Sequence, residues 1–270
     1  VTSPATPLVR LHFTSNSPVK GIAVAERRVL DPEATIICVH GGLDRGGSFA
    51  RLVRRLDTFD VVAYDRRGYQ GSRDVTPLGF QYHGDDLYAL VAQEAQTAPV
   101  IVFGHSFGGV VALGAAARDA TPIQLVVNYE SPVPWILQRQ NVRPILSEDA
   151  KAEAESFFKR MVSEHSWNRL SEQERESRRL DGPALLGDLS SLQSDVALFN
   201  LADLKTPFTY VFGDGARVEH YRALSQAMVK VNPTITSVEI FNAGHDAHIR
   251  NPDQLAGVIR QRWETLCASA

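Results

Sequence analysis

Apolar positions along this chain change spacing repeatedly, from short unbroken or alternating runs to stripes with residues three and four apart. The short runs predict strands and the wider spacing predicts helices. Leu8–Phe13 and Val19–Ala25 read as two opening strands joined in a hairpin. Ala34–Val39 is an apolar run ending in His-Gly-Gly, the pattern of a buried strand that enters a loop. Ser48–Leu56 reads as helix, Asp60–Tyr64 as strand and Asp85–Ala95 as helix. Val100–Phe103 is wholly apolar, Val110–Ala117 is a small-residue helix able to lie close to a sheet, and Leu125–Tyr129 is the next strand. Strand character returns at Phe208–Phe212 and Ser237–Phe241, and Asp253–Leu266 closes the chain as a helix. This alternation predicts an α/β fold with a mostly parallel sheet of eight strands and helices on both faces.

One stretch breaks the rhythm. From Ser131 to Asn200 strands vanish, charge rises, and Ala154, Phe157, Phe158, Met161 and Val162 recur at helical spacing. We expect a helical insertion over the sheet there, within a core made of residues 1–130 and 201–270. The charges between Glu148 and Asp181 read as the solvated side of those helices.

Composition narrows the classes. The hydrophobic share of 44% and charged share of 22% suit a globular protein with a sizeable core. A net charge of -3 supplies no basic field, which argues against nucleic acid as a partner. No apolar run is long enough to cross a bilayer. Val1–Pro7 carries neither a basic cluster nor an apolar stretch, so it does not read as a secretory signal, and a cytoplasmic location is expected. Two cysteines, Cys38 and Cys267, are too few for a disulfide framework.

The chemistry centres on Gly104-His105-Ser106-Phe107-Gly108-Gly109, between an apolar strand and a small-residue helix. Gly-x-Ser-x-Gly in that setting is the nucleophile elbow, a sharp turn that lifts the serine hydroxyl above the carboxyl edge of a sheet. The adjacent helix N-terminus favours developing negative charge. Ser106 is the candidate nucleophile, against a bland reading as an ordinary N-cap serine.

A serine needs a neutral imidazole within hydrogen-bonding reach. Such a histidine usually follows the last strand, and Asn242-Ala243-Gly244-His245 directly follows Val238–Phe241. His245 is therefore the expected base. His248 reads as the start of the next helix or a support for the loop, His105 points away from its neighbour on a sharp turn, and His40 belongs to another loop. For the oxyanion, the N–H of Phe107 and one from His40-Gly41-Gly42-Leu43 are expected, Gly42 ahead of Leu43.

Four segments together, His40–Gly42, Asp65–Ser72, Gly104–Gly109 and Ala243–His248, resemble the signature segments of the α/β-hydrolase fold superfamily. The resemblance implies a capped serine hydrolase, with the insertion at 131–200 as a helical cap after the sixth strand. It gives Asp65–Ser72 a structural role only. The acid of the triad departs from the pattern. Most members place an Asp three residues beyond a glycine ending the seventh strand, and here that position is Ala216 in Phe212-Gly213-Asp214-Gly215-Ala216. Two carboxylates stay open: Glu130, at the end of the sixth strand as in the resembling haloalkane dehalogenases, is preferred over Asp214. Either would orient the histidine and stabilise its cation.

A serine nucleophile disfavours epoxide hydrolysis and dehalogenation. His and Cys spacings match no zinc pattern, and the glycines lack dinucleotide spacing, so neither metal nor cofactor is expected. That leaves acyl transfer to water from a small-molecule substrate, an ester or thioester first, through an acyl-enzyme. Diketone carbon–carbon hydrolysis and a non-catalytic receptor of the same fold are the alternatives. Trp135, Phe157, Phe158 and Trp167 are candidates for an apolar acyl site, alongside Ile136, Leu137, Leu185, Leu186 and Phe199, about half of which should be plain packing.

Overall fold

Alternate residues of the central strands serve opposite faces of one sheet. In β3 (Thr35–Val39), Ile37 and Val39 enter one apolar cluster while Ile36 and Cys38 enter another. In β5 (Val100–His105), Val100 and Val102 divide from Ile101 and Phe103 in the same way. Side chains on a strand point alternately up and down. With both faces covered, unbroken apolar runs are what these strands require. The computed structural model that shows this describes residues 10–118, 120–137, 145–194 and 196–269.

The other strands are β1 (His12–Thr14), β2 (Val24–Arg27), β4 (Asp60–Tyr64), β6 (Ile123–Tyr129), β7 (Phe208–Gly213) and β8 (Thr236–Ile240). They form one eight-stranded sheet in the order β1-β2-β4-β3-β5-β6-β7-β8. β2 pairs antiparallel with both β1 and β4, and all other pairs are parallel. The order reverses around β3, β4 and β5, so loops after β3 and β5 open side by side at the carboxyl edge, where open α/β sheets bind ligands.

The helices are α1 (Ala50–Val53), α2 (Phe80–Glu94), α3 (Phe107–Ala116), α4 (Ala150–Met161), α5 (Glu164–Arg169), α6 (Glu172–Leu180), α7 (Gly182–Leu192), α8 (Val218–Val231), α9 (Ala247–Arg250) and α10 (Pro252–Ser269). Helices α4 to α7 stand between β6 and β7, inside the expected insertion. Ser171 opens α6 with a capping box to Glu174, and Asp149 caps α4 by accepting from Lys151 and Ala152.

Three expectations shift. The opening strands pair His12 with Glu26 and Thr14 with Val24, later than the apolar runs suggest, and Leu8 and Val9 lie outside the described residues. The helix expected at Ser48–Leu56 is a 3-10 turn at Gly46–Phe49 followed by the single turn of α1. Helix α2 begins at Phe80, five residues early, because the Phe80 ring packs at Gly114 of α3 in space a side chain there would fill.

Candidate active site

Ser106 occupies the turn from β5 into α3 with φ 52° and ψ -126°, a conformation L-residues rarely hold. Its N–H donates to the Tyr129 carbonyl (2.9 Å), which ties the turn to β6. The flanking glycines are a steric necessity. A Cβ on Gly104 would stand 2.4 Å from Gly109 Cα, and one on Gly108 would stand 2.1 Å from the Val39 carbonyl oxygen. The helix can therefore press against β3 and β5 only if these positions lack side chains. A serine on such a turn is held by its surroundings in a strained state.

His245 lies five residues beyond the end of β8, on a loop tethered at three points. Tyr129 Oη donates to the Gly244 carbonyl (2.6 Å), His105 Nε2 donates to the His245 carbonyl (2.8 Å), and the Ala243 N–H donates to Asp214 Oδ1 (3.1 Å). The Nδ1 of His245 meets Glu130 Oε2 at 2.7 Å, and Glu130 Oε1 accepts from the Gly213 N–H (3.1 Å). Glu130 is buried while a quarter of the His245 side chain remains exposed. Asp214, the other candidate acid, is exposed and bound to backbone. The N–H groups of Asn242 and Ala243 hold its carboxyl below the usual range. Thus the geometry joins Glu130 to His245 and leaves Asp214 as a turn cap.

Gly41, Gly42 and Leu43 line one cavity of about 460 Å³ with Ser106 and His245, a size typical of small-molecule pockets. The Gly41–Leu43 loop is braced from behind. Arg66 N–H donates to His40 Nε2 (2.8 Å), His40 Nδ1 donates to the Gly41 carbonyl (2.7 Å), and the Arg66 guanidinium donates to the carbonyls of His40 and Gly41. Burial, then the Arg66 charge, pushes the His40 ring down to about 3, so it stays neutral. Arg66 in turn forms a two-pronged pair with Asp188 of α7 (3.1 and 2.6 Å), which also accepts from Tyr69 Oη (2.7 Å) and meets His83 Nε2 (3.1 Å). The structural role expected for Asp65–Ser72 thus has a specific content: it fastens the glycine loop to an inserted helix.

The candidate substrate residues divide. Phe157 and Phe158 line the cavity with Leu43, Met161, Val162 and Ile249. Trp167 is buried behind them, tilted against Phe158, and takes no part in the wall. Trp135 packs edge-on against Phe199 (5.0 Å) and is also absent from the wall. Both indoles fill gaps between layers, which helical stripes do more often than line pockets. Phe107 sits buried at the head of α3, its ring under the Arg66 guanidinium (5.1 Å), and its N–H belongs to the first turn.

Sequence reasoning missed Tyr221 of α8, whose ring lies parallel to that of His245 at 6.5 Å, and Arg178 of α6, which reaches the cavity wall. No motif marks either; their helical register was the sole available signal.

An elbow serine, a carboxylate-bound histidine and a glycine loop at the carboxyl edge of a mostly parallel sheet define the class of α/β hydrolases. The profile of the alpha/beta hydrolase family matches residues 36–258, and the chain belongs to that family. It is 28% identical over 134 residues to the "Uncharacterized hydrolase YraK" of Bacillus subtilis, covering 48% of this chain and 46% of that protein. The chain thus matches less than half the length of that relative. It is 27% identical over 245 residues to a pimeloyl-[acyl-carrier protein] methyl ester esterase of Stenotrophomonas maltophilia, covering 83% of this chain and 91% of that one. A putative lipase of Acinetobacter baumannii superposes with a TM-score of 0.73 at 14% identity, over 97% of this chain and 94% of the other; that likeness concerns the fold. Among the described residues no helix is long and apolar enough to cross a membrane.

Proposed function

We propose that this chain is a cofactor-independent serine hydrolase that cleaves an ester or thioester of a small to medium, largely apolar acyl group. The observation that carries the reading is the 2.7 Å contact of His245 Nδ1 with buried Glu130, in the cavity that also holds Ser106. With its Nδ1 proton donated to Glu130, the ring turns an unprotonated Nε2 to the cavity. That nitrogen takes the Ser106 proton as Oγ attacks the acyl carbon. The oxygen that gains charge accepts from the N–H groups of Gly42 and Phe107, with Leu43 as the alternative. His245 returns the proton to the leaving group, and a water deprotonated by the same ring releases the acid. Residues 131–200 act as the cap, Phe157 and Phe158 supplying the apolar side. The methyl ester esterase relative favours oxygen esters as first substrates.

A fluorophosphonate probe tests the reading. Covalent labelling at Ser106, lost in folded Ser106→Ala together with release of p-nitrophenol from short acyl esters, is the expected result. Folded wild-type protein that resists the probe makes the chain a binding protein instead.

A further inference from the structure

Beside Ser106, on the same cavity wall, three side chains from distant parts of the chain converge. Asp44 follows the glycine loop, His105 ends β5 and His248 lies in α9. His248 Nε2 is 3.4 Å from Asp44 Oδ2, and His105 Nδ1 is 3.9 Å from the same oxygen. One ligand atom from each lies within 4.8 Å of the others, the one such group among the described residues.

The hydrogen-bond arithmetic of this group does not close. His105 Nε2 faces a carbonyl oxygen at 2.8 Å, so that nitrogen carries the ring proton and Nδ1 presents a bare lone pair. That Nδ1 is buried and has no hydrogen-bond partner among the described residues, nor has Nδ1 of His248, whose Nε2 faces only the Asp44 carboxylate at 3.4 Å. His105 is 6% exposed and His248 2%. Asp44 accepts from Ser48 Oγ (3.0 Å), which leaves most of its lone pairs free. Buried polar atoms are normally paired, and two acceptors 3.9 Å apart repel unless something positive lies between them. A contact with Asp44 through Nε2 accounts for one nitrogen of His248 and leaves its Nδ1 and that of His105 without a partner.

We propose that Asp44, His105 and His248 form a site for a divalent cation of the zinc type, in the wall of the cavity that contains Ser106. Two imidazoles and a carboxylate are the ligands such a borderline cation takes, and hard calcium or magnesium does not select imidazole. Ligands about 2.0–2.2 Å from a tetrahedral zinc stand roughly 3.3–3.5 Å apart. The Asp44–His248 separation already has that spacing, His105 stands about 0.5 Å beyond it from Asp44, and no two ligand atoms of the three are more than 4.8 Å apart. The carbonyl on His105 Nε2 is the outer partner that fixes the tautomer of a metal-binding histidine. Arg178 and Arg250 also line the cavity, so ligation rather than a negative field must hold the ion. This site stands independently of the hydrolytic reading.

The test is calorimetry with zinc chloride on chelator-treated, dialysed protein, with cobalt absorption as a report on coordination. One strong site is expected, with a tetrahedral cobalt spectrum. Asp44→Asn and His248→Ala should each weaken it by at least about 10- to 100-fold, the cost of losing even an outer partner. Cys267→Ser, which removes an exposed thiol, should leave it unchanged. Asp44 is partly exposed, so its isosteric variant should fold, and zinc should raise the unfolding temperature of the wild type but not of this variant. Zinc bound as tightly by Asp44→Asn as by the wild type, or held only through Cys267 and surface histidines, overturns the proposal.

Discussion

Of the carboxylate–histidine arrangements around the glycine loop, those of Glu130 and Asp188 are built for opposite ends. In front of it, Glu130 holds His245, whose side chain is 26% exposed and faces the cavity. Behind it, Asp188 holds His83 together with Arg66 and Tyr69, and all four are buried. Burial, with the Arg66 charge next, keeps His83 neutral. Asp188 stays ionised: burial opposes its charge, but Arg66 and His83 outweigh that and hold the carboxyl far below its usual range. The difference is access to water. In the proposed function His245 gains and loses a proton, for which it needs an open side, whereas a network that fixes a loop gains rigidity from having none.

Breaking each arrangement by an isosteric change should therefore damage different properties. For the front pair, Glu130→Gln turns an acceptor into an amide, so the His245 tautomer is no longer specified. We expect kcat on a short acyl ester to fall by roughly 10³- to 10⁴-fold, the loss a triad acid gives, with thermal stability nearly kept. Asp214→Asn should change kcat by no more than about twofold, the scale of an exposed substitution. Steady-state kinetics of the two variants decide the matter, and a greater loss in Asp214→Asn would hand the acid role to that residue. For the rear network, Asp188→Asn strands the Arg66 guanidinium in the interior. Denaturant unfolding should show a loss of about 3–5 kcal/mol, the cost of breaking a buried pair from one side. Unchanged stability would mean that the network contributes little to holding the loop.

How much of this the sequence disclosed follows the reach of each contact. The Ser106 elbow was legible because strand, turn, glycines and helix all lie within a few residues of one another. The buried strand at Ala34–Val39 was legible for the same local reason. Glu130 and His245 are 115 residues apart, so motif spacing could only lean towards Glu130 while keeping Asp214 open. Arg66 and Asp188 are 122 apart, and nothing local to Asp188 sets it off from the solvated charges of the neighbouring helices. Asp44, His105 and His248 escaped for that reason too, since no zinc spacing links them. The opening hairpin slipped because β1 is a short, exposed edge strand with no buried face to pin its register.

The smallest effect concerns protons, and it separates the two regions without any substitution at the cavity. His40 belongs to the rear network, with its ring held down to about 3, first by burial and then by Arg66. In the unfolded chain the same ring titrates near about 6.5. Above that pH neither state binds the proton, and the stability is whole. Between about 6.5 and 3 only the unfolded chain binds it, so stability falls as pH falls, by up to about 1.4 kcal/mol per unit. From pH 7 to pH 5, above the carboxylate range, His40 alone should cost about 2 kcal/mol. His83 and His105, both lowered chiefly by burial, act in the same direction. Urea unfolding at the two pH values measures the slope. His40→Gln keeps a side-chain amide for the Gly41 carbonyl and Arg66 N–H but has no proton to bind. It should start less stable at pH 7 and lose less on acidification, by about one proton's worth. An undiminished slope in that variant would mean that the ring behind the glycine loop is as open to water as the one in front.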